Sequence, residues 1–349
     1  MSSLIKFKIV LLILVLSACS KTTPNNKLIK DSQFIFGTIV TIAFYGDNTM
    51  RTNQALKSIR QDFNALQKSW SPWDDRAMAR VNKLIKTTKW FSYNPVVHTL
   101  LTDGKKYSFL SQELFNPTMG GLTKLWGFNT SDNMLSQPPA PSNIKKLLSN
   151  KTSMQDIRLK GVRMKSDNPN VVLDFGGMAK GLAVDLAITN LKKFNINNAI
   201  INAGGDIKVI GSHGDKPWHI GIRHPRGKNS ILAGVDLNSN ESIFTSGDYE
   251  RYFISDGIRY HHILDPRTGY PATQTMSVTV IHSNAALADA AATALFVAGP
   301  QKWHEIAQAM AIKYVLLIDQ KGNIYMNPAM QKRIRFQQKP NNIIISKPL

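Results

Sequence analysis

The stretch Ala199-Ile200-Ile201-Asn202-Ala203-Gly204-Gly205-Asp206-Ile207-Lys208-Val209-Ile210 decides the fold. Two apolar runs rich in β-branched residues flank a Gly pair. Glycines reach the positive φ angles of a tight reversal, so the segment reads as two antiparallel strands. The pattern continues downstream. Residues 218–223, 231–237, 242–245, 252–254 and 258–264 are further short strands, separated by turns that contain Gly. Residues 278–282 read as a strand, and helical spacing covers 287–297 and 300–310. Residues 314–318 and 324–326 predict a hairpin around Gln320-Lys321-Gly322-Asn323. Upstream, the apolar run 171–175 reads as a buried strand feeding a helix over 179–194. Residues 34–45 predict a strand, 52–68, 76–85 and 96–114 helices, and 145–150 a short helix. The proline-containing stretch 132–142 reads as a surface loop. Strands and helices in this mixture, with no repeat and no clear linker, predict an α+β fold of mixed and antiparallel sheets with packed helices.

Several polar clusters fall at the ends of these elements. The most concentrated is Tyr260-His261-His262-Ile263-Leu264-Asp265-Pro266-Arg267-Thr268-Gly269-Tyr270-Pro271. It is either a plain Asp-Pro-x-Thr-Gly turn or a loop whose polar side chains face a ligand. In Leu173-Asp174-Phe175-Gly176-Gly177-Met178-Ala179-Lys180-Gly181 a strand ends in two glycines and a helix begins. Glycine there permits close backbone approach, and the first turn of a helix offers free N–H groups to an anion, with Lys180 placed to meet a phosphate. The spacing is neither a P-loop nor a dinucleotide fingerprint, so a bare strand-to-helix turn is the competing reading. Asn202-Ala203-Gly204-Gly205-Asp206 is a hairpin turn or a second close approach to a ligand.

In Ala288-Asp289-Ala290-Ala291-Ala292-Thr293, Asp289 and Thr293 are four residues apart and share one helix face. Their hard oxygens suit Mg²⁺ better than Zn²⁺. The alternative is an Asp favoured by the helix dipole and a Thr bonded to its own backbone. Phe115-Asn116-Pro117-Thr118-Met119-Gly120-Gly121, leading into Leu125-Trp126-Gly127-Phe128, would hold a planar ring or simply pack the core. No H-E-x-x-H, C-x-x-C or G-x-S-x-G motif occurs, and Ser246-Gly247-Asp248 with His262 lacks a nucleophile elbow.

The chain begins with Lys6 and Lys8, an apolar run over 9–16 and Leu16-Ser17-Ala18-Cys19. That is a basic, apolar, small-residue export signal, too short to span a bilayer. The box resembles a bacterial lipobox, which predicts a signal peptide over 1–18, lipidation of Cys19 and a tether over 19–30. An ordinary signal peptide with an incidental Cys is the alternative. Cys19 is the only cysteine, so the mature body has no internal disulfide. A hydrophobic content of 43% in 349 residues fits a folded, enzyme-sized body, placed at 31–335, with a basic C-terminal tail at 336–349. The net charge of +20 is spread along the chain without a nucleic-acid-reading run, and export argues against DNA. An anionic membrane surface or a phosphate-bearing ligand suits it better.

In order along the chain, these segments resemble the FAD:protein FMN transferase family, the ApbE-type flavin transferases. The resemblance rests on Phe36-Gly37-Thr38, on 116–122 with 125–128, on 173–181 with Asp185, and on 202–207. It continues through Thr245-Ser246-Gly247-Asp248-Tyr249-Glu250-Arg251, 262–269 and 288–293. It implies a fold related to the T-fold and a Mg²⁺-dependent enzyme. Such an enzyme splits FAD at its diphosphate, joins FMN by a phosphoester bond to a Thr or Ser of a target protein, and releases AMP. Implied targets are flavoprotein subunits of Na⁺-pumping NADH:quinone reductase or Rnf-type complexes.

The implied roles are Asp289, Thr293 and a carbonyl near Gly177 as metal ligands, His262 as the base, and Lys180 and Arg267 as partners of phosphate charge. Phe36, Trp73, Leu114, Phe115, Asn116, Asp174 and Leu264 are implied to line the FAD site. Asn116 stands where the family commonly has Asp, and Gly121 where it has Pro. Residues 73–82 are one residue short and lack the usual Ser pattern. An FAD pyrophosphatase and a non-catalytic periplasmic flavin-binding lipoprotein are the alternatives. The implied location is a periplasm-facing lipid anchor at the inner membrane, although Ser20 after Cys19 favours outer-membrane sorting.

Overall fold

The computed structural model describes residues 27–46, 49–73, 75–129, 135–227, 230–338, 340 and 342–349. The expected signal peptide, Cys19 and most of the tether lie outside the described residues. The chain runs β1 (Lys27–Ile35), β2 (Thr38–Gly46), α1 (Met50–Trp70), α2 (Ala77–Ile85), β3 (Phe91–Ser92), α3 (His98–Leu110), α4 (Gly120–Leu125) and α5 (Pro141–Leu148). Then follow β4 (Ile157–Lys160), β5 (Arg163–Ser166), α6 (Ala179–Lys193), β6 (Ala199–Ala203), β7 (Asp206–Ile210), β8 (Trp218–Arg223), β9 (Ile231–Leu237) and β10 (Ser242–Gly247). The last third holds β11 (Tyr252–Ser255), β12 (Ile258–His261), β13 (Thr275–His282), α7 (Ala285–Ala309), β14 (Tyr314–Asp319), β15 (Ile324–Met326), α8 (Pro328–Gln331), β16 (Arg335–Phe336) and β17 (Ile343–Ile345).

Nine strands form one sheet in the order β1-β2-β6-β7-β10-β13-β14-β15-β17. The pairs are antiparallel except for β15 with β17. Period-two alternation divides its side chains between two cores. Phe244, Val278, Val280, Val315 and Leu317 face the helices and join the main core. Ile243, Ile281, Leu316 and Ile318 point the other way and pack with Trp218, Ile220, Val235 and Leu237 of the small β8–β9–β16 sheet. The helices therefore cover one face of the large sheet and a second sheet covers the other. A third cluster, Leu122, Trp126, Phe128, Ile144, Phe253 and Leu264, lies beneath the two-stranded β11–β12 ribbon. No described helix is long and apolar enough to cross a membrane.

The antiparallel expectation for 199–210 holds, with Ala203 opposite Asp206 across the Gly204–Gly205 turn. Four readings need correction. Residues 34–45 are not one strand but a hairpin, because Phe36 and Gly37 take left-handed φ angles of 54° and 73°. Residues 96–114 begin as a 3₁₀ turn, and α3 ends at Leu110, with Gln112 and Glu113 at φ 55° and 65°.

Residues 171–175 form no strand. Val171, Leu173 and Phe175 are buried as a strand's would be, but the backbone is held by other groups. The Asn82 amide clamps Leu173 N (2.7 Å) and O (2.9 Å), and Asp174 N donates to Pro117 O (2.8 Å). Finally, 336–349 is no appended tail. Phe336 pairs with β9, and β17 adds an edge strand beside β15.

Candidate active site

Four element ends converge on the helix-covered side of the large sheet. The first is the start of α6. Its Gly181 lets α6 approach α7 so closely that an added Cβ would lie 2.2 Å from Ala285 O. Ala285 and Ala286 are the residues of α7 that it meets. As a result the Gly181 N–H reaches across to Asp289 Oδ2 at 3.0 Å. The second is the start of α7, where Thr293 lies against Gly177: a Cβ at Gly177 would meet Thr293 Oγ1 and the Phe115 ring at 3.2 Å each. Thr293 Oγ1 is in turn 3.3 Å from Ser246 Oγ on β10.

The third end is the β6–β7 turn, which carries Asp206. Its carboxyl forms an ion pair with Lys180 Nζ and accepts from Thr245 N at 3.0 Å. Gly204 of this turn, at φ 69°, receives Thr38 from the β1–β2 hairpin, which brings Phe36 to the same region. The Phe36 N–H donates to Gln67 Oε1 (2.7 Å), and its ring packs on Phe63 at 5.5 Å.

The fourth end is the chain on either side of the β11–β12 ribbon. Arg251 enters it and His262 leaves it. Arg251 O accepts from His262 N at 3.0 Å, and His262 Nδ1 lies 3.3 Å from the same oxygen. A carbonyl only accepts, so Nδ1 carries the proton and Nε2 keeps its lone pair. The Phe128 ring meets His262 edge-on at 6.4 Å, and Phe128 O accepts from Arg251 Nη1 at 3.0 Å.

These groups keep open surface while protein crowds around them, the condition of a cleft wall. Asp174, Lys180, His262 and Thr293 are half-buried, Glu250 and Arg251 are exposed, and Asp289 is buried. Burial pushes the Asp289 carboxyl up to about 6, against the pull of Lys180, and Asp206 adds to the rise. Burial likewise raises Asp174 and Glu250. For Lys180, burial opposes the charge, but Asp206 and Asp289 outweigh it and raise its pKa. His262 is driven well below its ordinary value by burial, then by the Arg251 charge. It is a neutral imidazole at neutral pH.

The carboxyls Asp174, Asp206, Glu250 and Asp289 outnumber the cations Lys180 and Arg251, with Arg223 at the rim, 3.9 Å from Glu250. An anionic ligand needs more positive charge than this cleft holds. Among the described residues no group of three His, Cys, Asp or Glu side chains converges on a metal-sized space. The oxygens of Asp289, Thr293 and the Gly177 backbone are instead a sparse, hard donor set. That fits a Mg²⁺ ion, which keeps several waters and completes its shell with phosphate.

The ApbE family model matches residues 36–316. The chain belongs to the ApbE family. An FAD:protein FMN transferase of Treponema pallidum is 30% identical over 299 residues, which cover 78% of this chain and 79% of that protein. One from Rhodobacter capsulatus is 36% identical over 306 residues, and there the chain spans only 58% of the relative's length. The crystal structure of the ApbE protein from Thermotoga maritima superposes with a TM-score of 0.78 at 32% identity, covering 90% of this chain and all of that one.

Within this ApbE fold, the expected site residues Asp174, Gly177, Lys180, His262, Asp289, Thr293 and Phe115 come together as described. Leu114 is buried beside Phe115 in the main core. Others are engaged elsewhere. The Arg267 guanidinium is bound by Asp265 (Nη2–Oδ2 2.7 Å) and by Val297 O (3.1 Å). It braces the Asp265-Pro266-Arg267-Thr268-Gly269 turn, with the side chain still half exposed. The Asn116 amide donates to Thr152 O (3.1 Å) and accepts from Thr118 N (3.0 Å) and Thr118 Oγ1 (2.7 Å), so it fixes a bend. Leu264 packs in the aromatic cluster with Trp126 and Phe253. Trp73 lies in the α1–α2 connector with its backbone N–H on Ser71 Oγ (3.3 Å), and among the described residues no hydrogen bond ties it to the cleft. The residues that sequence reasoning left without a role are Asp206, Ser246, Glu250 and Arg251. All four lie inside motifs quoted from the sequence, but only the folded chain shows which of their side chains face Lys180 and His262.

Proposed function

We propose that this chain is an FAD:protein FMN transferase that splits the FAD diphosphate and joins the FMN phosphate to a Thr or Ser hydroxyl of an acceptor protein. The P–O bond to AMP breaks as the phosphoester bond forms, and the hydroxyl proton goes to His262 Nε2. The observation that carries this reading is the neutral His262, its Nδ1–H on Arg251 O, in one cleft with the Lys180–Asp206–Asp289 charge cluster. A positioned neutral imidazole is the general base that a hydroxyl nucleophile requires. Asp289, Thr293 and the Gly177 carbonyl would hold Mg²⁺, whose charge offsets that of the diphosphate. Lys180 keeps Asp289 in its charged, ligand-ready form. Phe36 and Phe115 are apolar walls for the flavin ring. The acceptors are extracytosolic flavoprotein subunits of Na⁺-pumping NADH:quinone reductase or Rnf-type complexes. Lipid on Cys19 anchors the enzyme to the periplasmic side of the inner membrane.

The test incubates the chain from Ser20 onward with FAD, Mg²⁺ and an acceptor domain, then reads flavin fluorescence in a denaturing gel. A fluorescent acceptor band that disappears with EDTA and with Asp289→Ala supports the reading. Release of FMN and AMP with no labelled band from any acceptor overturns it in favour of an FAD pyrophosphatase.

A further inference from the structure

Cations around the cleft are mostly committed. Lys180 pairs with Asp206, and Lys208 is held by Asp185 and Ser283 O at 2.5 Å each. Arg226 is bidentate on Asp248 at 2.6 Å, and Arg267 is bound to Asp265. Arg251 differs. Among the described residues it forms no ion pair within hydrogen-bonding distance of a carboxylate, and its one fixed bond is Nη1 to Phe128 O. Asp174 and Glu250 act on it only through space.

We propose that Arg251 is the diphosphate-binding guanidinium of this cleft, the group that distinguishes FAD from flavins without phosphate. The proposal rests on the transferase reading above. Geometry supports it at both ends of the residue. The Arg251 carbonyl holds His262, so the side chain starts beside the base. Its Nη1 is fixed by Phe128, whose ring stacks on Trp126 (6.5 Å) and Phe253 (6.1 Å) in the aromatic cluster. That leaves a positioned, exposed fork with further N–H donors, a shape matched to two phosphate oxygens. Crowding by protein costs its charge some solvation, which an anionic ligand would offset. Lys180 cannot replace it while bound to Asp206.

The experiment titrates wild type, Arg251→Met and Arg251→Lys with FAD, ADP and riboflavin in EDTA, so that no turnover intervenes. Arg251→Met is expected to weaken FAD and ADP together by about 10- to 100-fold, the worth of a charge-assisted hydrogen bond, and to leave riboflavin within twofold. Arg251→Lys should recover part of the loss. Unchanged FAD and ADP affinity in Arg251→Met overturns the proposal. So does an equal loss of riboflavin, which would mark a bracing role through Phe128. If Arg251→Met does not fold, the ADP-to-riboflavin affinity ratio of Arg251→Lys decides, and a wild-type ratio overturns. Diphosphate-selective loss in a chain that labels no acceptor supports Arg251 and overturns the transferase reading. A wild type that binds no FAD overturns both.

Discussion

At the scale of single residues, the cleft works by environments that move protonation in opposite directions. His262 is held neutral by burial and by the Arg251 charge. Its folded pKa lies below 6.5, so at saturating Mg²⁺ kcat/KM should hold through neutrality and fall as pH drops through that lower value. His262→Gln should lower kcat by about 10²- to 10⁴-fold while FAD affinity stays within a few-fold, as stopped-flow and binding titrations would show. Asp289 moves the other way, up to about 6. A metal ligand must be deprotonated, so Mg²⁺ affinity by calorimetry should fall as pH drops through about 6 and be near its full value at pH 7.5. Asp289→Asn should abolish both the affinity and its pH dependence. These residue types were legible in the sequence, since Asp289 and Thr293 stand at helical spacing whatever the fold. The environments were not, because desolvation is a property of what packs around a group. Arg267 illustrates the limit. In sequence it is as good a phosphate partner as Arg251, and only the fold shows that its guanidinium is engaged by the neighbouring Asp265 and the Val297 carbonyl.

At the scale of elements, the site depends on α6 and α7 touching at Gly181. An added Cβ would strike backbone, not a flexible side chain that could swing away. Gly181→Ala should therefore lower stability by about 1–3 kcal/mol, seen as a lower melting temperature, and also reduce transfer because Asp289 loses the Gly181 N–H. Gly181→Ser should do no better. Helix periodicity located α1, α6 and the two halves of α7, which break at Gly299, φ 68°, before Pro300. Residues 171–175 show where pattern reading stops. A short apolar run says that its side chains are buried, not which groups satisfy its backbone. Asn82, 91 residues upstream of Leu173, does so here.

At the scale of the whole molecule, the C-terminal residues are part of the sheet and not an appendage. Deleting 343–349 removes the only parallel strand pairing among the described residues of the nine-stranded sheet and bares Ile324–Met326 as an edge. The shortened chain should melt at a lower temperature than the full one and aggregate more readily, which a thermal scan with light scattering would measure. Read as sequence alone, 336–349 looked like a basic tail, because its pairing partner is β15 and a β-ladder leaves little mark on a three-residue strand. The sequence by itself determined the α+β class, the antiparallel turn at Gly204–Gly205, the ordered motifs of the ApbE family and the chemical types available for the site. Those properties depend on local backbone preference and on residue identity. Only the tertiary structure decided which charges remain free, which glycines admit a neighbouring helix, and which polar groups meet in one cleft. Those outcomes depend on contacts between segments more than a hundred residues apart, such as Gly181 with Asp289, and no local pattern encodes them.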